Sequence, residues 1–131
     1  MTERKDSNIW PGLSYDDAIA ARAWLKALGF EDGTLVQGDD GTAVHHSEML
    51  WPEGGRVMVS TRGTETGSDF DTTPGSGQIY VVTADPDAVW QRARELGAQV
   101  VRDLADSDYG SRGFSIKDTE GNRWSFGTYA G

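Results

Sequence analysis

The chain has 131 residues, with 12 Lys and Arg, 21 Asp and Glu, and no cysteine. That length suits one compact domain, or two small modules sharing a core, and it buries enough surface to fold without staples. Lack of cysteine excludes disulfides, thiolate metal sites and a Cys nucleophile; the net charge of −9 argues against phosphate-backbone binding; no apolar run approaches the ~18 residues of a membrane span. The first eight residues, MTERKDSN, carry charge without an apolar stretch behind them, which does not read as a secretory signal. The expectation is a soluble, cytoplasmic protein with neither nucleic acid nor membrane as partner.

Ile9–Ser14 reads as a short strand, imperfect because Pro11 and Gly12 interrupt it. Asp16 or Asp17 caps a helix to about Leu28, with Ala21, Trp24, Leu25 and Leu28 on one face, and Gly29 stops it. Three strands follow, at Thr34–Gln37, Thr42–Leu50 and Arg56–Thr61, separated by the glycine-containing turns 38–41 and 52–55. Residues 63–77 are rich in Gly, Thr, Ser and Asp and read as a linker or a flap with Phe70 as its anchor.

The pattern then starts again. Gln78–Thr83 is a strand of β-formers, Asp85-Pro86 opens a helix carrying Val89, Ala93 and Leu96 inward, and Gly97 stops it. Strands follow at Gln99–Leu104, Gly113–Lys117 and Arg123–Thr128. Asp17, Ala20, Leu28 and Gly29 recur 68 residues later as Asp85, Ala88, Leu96 and Gly97, and the last strands of the two halves match at an offset of 67. A matched cap, helix end and glycine stop indicates an internal repeat of βαβββ units.

The run Asp118-Thr119-Glu120-Gly121-Asn122-Arg123-Trp124-Ser125-Phe126 resembles the ending characteristic of the vicinal oxygen chelate superfamily, which includes glyoxalase I, bleomycin and fosfomycin resistance proteins and extradiol dioxygenases. Asp108-Tyr109-Gly110-Ser111-Arg112 and Leu28-Gly29-Phe30 are similar to stretches of its glyoxalase-like branch. The resemblance covers residues 8 to 129 and implies an α+β fold: two tandem βαβββ modules forming curved sheets around a concave site, completed in a homodimer. Module 1 spans about 8–62, the linker or flap 63–76 and module 2 about 77–129.

Metal-using members of that superfamily place ligands on the first and last strand of each module. Carried onto this chain, those positions hold Trp10, Met58, Gln78 and Ser125, or Ile9 in place of Trp10 if Asp16 is the matching cap. An indole, a neutral thioether, an amide and a hydroxyl lack the His or carboxylate donors that a divalent catalytic centre uses. The expectation is no metal and no other cofactor. His46 and Glu48, two apart on a predicted strand, share a face and offer the one unorthodox alternative, as ligand contacts, an acid–base pair or part of a metal site.

Strand alternation separates two faces. Trp10, Met58, Gln78 and Ser125 fall with Gly12, Ser14, Arg56, Ser60, Tyr80, Val82, Arg123 and Gly127. Ile9, Leu13, Val57, Val59, Ile79, Val81, Trp124 and Phe126 fall on the other, which reads as core. The mixed face has the composition of a small-molecule site. Arg112 sits at a strand mouth, either to meet a ligand anion or to pair with one of the many carboxylates. The ligand-binding set is thus Trp10, His46, Glu48, Met58, Gln78, Tyr80, Arg112 and Ser125, with no catalytic residue assigned. The expected function is metal-independent binding of a small, partly aromatic or cationic molecule, such as a drug or metabolite. The alternatives are a glyoxalase-like lyase or isomerase, metal-free or using His46 and Glu48, and an interaction module whose cup is filled.

Overall fold

The computed structural model describes residues 8–64 and 71–131. Module 1 contains β1 (Gly12–Tyr15), α1 (Ala18–Leu28), β2 (Glu31–Gln37), β3 (Val44–Leu50) and β4 (Arg56–Thr61). Module 2 contains β5 (Gln78–Val82), α2 (Pro86–Leu96), β6 (Gln99–Asp106), β7 (Arg112–Lys117) and β8 (Arg123–Gly127). Each module forms its own four-stranded mixed sheet, ordered β1-β4-β3-β2 and β5-β8-β7-β6, with the first strand parallel to the last.

The repeat is exact in register where the sequence predicts it. Gly12 pairs with Met58 as Tyr80 pairs with Ser125, offsets of 68 and 67. The Asp17 carboxylate accepts from Ala20 N at 3.0 Å, and that of Asp85 from Ala88 N at 3.1 Å, so both helices start on the same cap. Gly97 ends α2 at φ +69°, a left-handed turn that side chains with a Cβ resist. The first strand begins at Gly12 rather than Ile9, because Pro11 has no amide to donate and contributes only its carbonyl, which accepts from Met58 N at 2.8 Å. Strands β2 and β6 run longer than their β-formers suggest, because both are edge strands whose polar ends are held by pairing to β3 and β7.

Helices and sheets bury one common core. Leu13, Val57, Val59, Val81, Trp124 and Phe126, all assigned to the core face, are buried together with Leu25 and Leu28 of α1 and Val89 and Ala93 of α2. Ile9, assigned to the same face, is 82% exposed because it precedes the strand. Aromatic contacts cross the module boundary: Phe30 meets Trp124, and Trp51 meets Phe126, each at 5.6 Å between centroids.

Reciprocal polar tethers fix the two modules against each other. The β7–β8 turn of module 2 reaches the start of α1, where Glu120 accepts from Asp16 N and Asp17 N at 2.7 and 2.8 Å. The β3–β4 turn of module 1 does the same at the start of α2, where Glu53, 67 residues before Glu120, accepts from Ala84 N at 2.9 Å. Beside these carboxylates, Trp51 Nε1 donates to Val82 O at 3.2 Å and Tyr15 Oη donates to Asp118 Oδ2 at 2.6 Å. Asp118 also accepts from Trp124 Nε1, Asn122 Nδ2, Asn122 N and Glu120 N, all at 3.0 Å. The motif residues Asp118, Glu120 and Asn122 are therefore structural: they close a turn and lock it onto the other module.

Of the segment read as linker or flap, residues 71–77 are strapped down. Thr72 exchanges hydrogen bonds with Ser14, Oγ1 accepting from Ser14 N at 2.9 Å, and Gly77 N donates to Asn122 Oδ1 at 2.8 Å. Phe70 lies outside the described residues.

Candidate functional site

With the apolar faces turned to the helices, each sheet leaves its other face open. In module 1 the register aligns Gly12, Met58 and Glu48 across β1, β4 and β3. Val36 pairs with His46 but Gln37 with Val44, so His45 is an extra residue in a β-bulge. His45, His46, Met58 and Ser60 line a hollow of about 270 Å³ on this face.

Glu48, opposite Met58 on the same sheet face, is the polar centre of that face. Its side chain is 12% exposed and carries an ion pair on each oxygen: His46 Nε2 at 2.7 Å from Oε2 and Arg56 Nη1 at 2.8 Å from Oε1. The His46 and Arg56 hydrogen bonds hold its carboxyl below the ordinary range, against the opposite effect of burial. The Arg56 guanidinium in turn lies 4.5 Å over the Trp10 ring. Trp10, Arg56, Glu48 and His46 thus form one chain of contacts along the face, with the His46 ring half exposed at its end.

In module 2 one row crosses the whole sheet. Tyr80 pairs with Ser125, Ser125 with Ser115, and Ser115 with Arg102. The two serine hydroxyls meet at 2.7 Å in the middle. The next row is nearly bare, because Gly127 pairs with Gly113 and Gly113 with Ala105. A Cβ on Gly127 would come within 2.9 Å of Tyr80 Oη, and one on Gly113 within 2.5 Å of Phe126 O. Small residues therefore floor a trough of about 520 Å³, walled by Tyr80, Tyr109 and Tyr129 with Arg102 at the far side. Tyr80 Oη donates to Tyr129 O at 2.8 Å, and the Tyr109 and Tyr129 rings meet edge to face at 5.8 Å.

Six of the eight residues singled out from sequence divide between two surfaces. Trp10, His46, Glu48 and Met58 lie on module 1, while Tyr80 and Ser125 lie in the trough of module 2. Gln78 is exposed at the start of β5, opposite Arg123. Arg112 lines neither hollow: its fork takes Asp87 at 2.8 and 3.1 Å and Asp106 at 3.3 Å, and the pairing holds the Asp87 carboxyl below its ordinary range. Sequence reasoning missed Arg102, Tyr109 and Tyr129. Tyr109 was legible only as part of a turn motif, and nothing local marks a terminal tyrosine or a strand arginine as pocket wall.

The metal-ligand positions fit no divalent cation. Ser125 Oγ is bonded to Ser115 Oγ, Trp10 lies against a guanidinium, and Met58 offers a neutral thioether. No group of three His, Cys, Asp or Glu side chains converges among the described residues.

A profile of the Glyoxalase/Bleomycin resistance protein/Dioxygenase superfamily matches residues 12–126. The chain belongs to this superfamily. Superfamily relatives by sequence include an uncharacterized protein of Mycobacterium tuberculosis strain H37Rv, 32% identical over 130 residues, covering 92% of this chain and 75% of the relative. Among solved structures, TioX from Micromonospora sp. ML1 is 29% identical with a TM-score of 0.79, over 95% of this chain and 99% of that one. A lactoylglutathione lyase from Agrobacterium tumefaciens shares the superfamily fold at 21% identity and a TM-score of 0.64, covering 92% of each chain.

Proposed function

We propose that this superfamily member binds a small drug-like molecule or metabolite without a metal, sequestering it in a cup completed by a second copy of the chain. The observation that carries the reading is the module 2 trough: a glycine-floored, tyrosine-walled concavity with hydrogen-bonding serines and no strong metal donors at the positions where metal-using relatives carry them. Its volume of about 520 Å³ disfavours a filled interaction module.

Each open face supplies half a cup. Strands β1 and β5 are the outer strands of their sheets, and Ile9, Tyr80 and Val82 expose apolar surface beside them. A groove of about 660 Å³ lined by Ile9, Pro11, Trp51, Arg56, Tyr80 and Val82 runs along that boundary. Unpaired edges and apolar strips favour association, and a twofold axis sets module 1 of one copy against module 2 of the other.

A second reading rests on the short His46–Glu48 contact. An ionised Glu48 holding His46 by Nε2 leaves Nδ1 as a potential base, which would make the protein a metal-free lyase or isomerase. Three measurements test the proposal on chain purified without chelator: elemental analysis, light scattering, and recovery of a bound probe. The proposal expects no stoichiometric metal, a dimeric mass, and a chemically unchanged probe. Stoichiometric zinc, nickel, manganese or iron that is lost on His46→Ala refutes metal independence. A monomeric mass at micromolar concentration refutes the shared cup, and a probe transformed by wild type but not by His46→Ala favours the second reading.

A further inference from the structure

The ligand's chemistry follows from where charge is balanced and where it is not. The carboxylate that lines the trough, Asp106, is matched by Arg112, which also takes Asp87, and Glu48 on the module 1 face is matched by His46 and Arg56. These paired carboxylates are therefore not free to meet a cationic ligand. Arg102 differs. It sits at the end of the Tyr80–Ser125–Ser115 row, lines the trough, and forms no ion pair among the described residues. Its charge reaches across the trough: it favours ionisation of the Tyr80 phenol, although burial, the larger influence, raises that group overall.

Beside this cation stand the rings of Tyr80, Tyr109 and Tyr129, about a floor held flat by Gly113 and Gly127. Rings with free faces take planar partners by stacking. A guanidinium fork takes a planar anion by two parallel hydrogen bonds. The serine pair between them offers one hydroxyl proton and lone pairs to a polar substituent.

We propose that the trough selects a planar aromatic acid, its rings against the tyrosines and its carboxylate on the Arg102 guanidinium. This rests on the small-molecule-binding reading above and narrows it. In a strongly acidic protein a single uncompensated cation inside a concavity also gives anions a local minimum that the rest of the surface denies them.

The test uses three probes of one shape: naphthalene-2-carboxylate, naphthalene-2-carboxamide and 2-naphthylmethylammonium, titrated calorimetrically against the full chain, Arg102→Gln and Tyr109→Ala. Arg102 is exposed on an edge strand, so the glutamine variant should melt as the wild type does. The carboxylate should bind wild type about tenfold more tightly than the amide, the scale of one charge-assisted hydrogen bond, and the ammonium most weakly. Arg102→Gln should erase the preference for the acid while leaving the amide unchanged. Tyr109→Ala should weaken all three. Equal binding of acid and amide, or a preference that survives Arg102→Gln, overturns the anionic assignment and leaves the binding reading standing if Tyr109→Ala still weakens the probes. Failure of all three probes to bind wild type overturns both.

Discussion

Removing the carboxylate of Asp118 tests whether the family motif acts as a latch. Asp118 accepts five hydrogen bonds, from Tyr15 Oη, Trp124 Nε1, Asn122 Nδ2 and two backbone amides, and its residue is 9% exposed. The Trp124 and Tyr15 residues that donate to it are fully buried. Burial, then the adjacent Asp118 charge, push the Tyr15 phenol far above its ordinary range, so it remains a donor at every accessible pH. In Asp118→Ala these donors lose their acceptor at about 1–3 kcal/mol each. Water entering the vacated space recovers part, leaving a loss of about 4 kcal/mol from a total stability of about 5–15 kcal/mol. With an unfolding entropy of about 2.1 cal/mol/K per residue, Tm should fall by about 15 °C by scanning calorimetry. Tyr15→Phe removes one donor and its bond together, so it should cost only about 1 kcal/mol, and the double variant should lose less than the sum of the singles. A drop below about 4 °C for Asp118→Ala, or strict additivity with Tyr15→Phe, refutes the latch.

Trp10 is 41% exposed with a guanidinium over one face, so Trp10→Ala should cost under about 1.5 kcal/mol in urea titration; a loss of about 3–5 kcal/mol would place it in the core instead. Glu48 titrates in the fold below its unfolded value of 4.5. Its contribution is therefore complete above that value and is lost as pH falls through the lowered one. The stability gap between wild type and Glu48→Gln should accordingly be widest near neutrality and shrink as pH falls below 4.5; a gap independent of pH contradicts the pairing with His46 and Arg56.

Much of the fold was legible because it is written in local chemistry. Asp17 and Asp85 cap helices through amides three residues on, Gly29 and Gly97 stop them, and alternation along β4, β5 and β8 assigns each side chain to a face. The 68- and 67-residue offsets carried the repeat because both halves solve the same local problem with the same residues. Ile9 failed because alternation has meaning only where a partner strand holds the chain extended, and pairing starts at Gly12.

The site needed the tertiary structure. Face assignment grouped Trp10 and Met58 with Tyr80 and Ser125, yet the two modules line different hollows with those faces, since Glu120 and Glu53 tether each turn to the opposite module's helix start and Asp118 holds Tyr15 at the end of β1. Arg112 and Arg102 look alike in sequence. One is consumed by Asp87, 25 residues away, while the other reaches the trough because the β6–β7–β8–β5 register lines it up with Tyr80. Such pairings depend on strand register between distant segments, which no local pattern encodes, whereas caps, stops and alternation depend on neighbours a few residues apart.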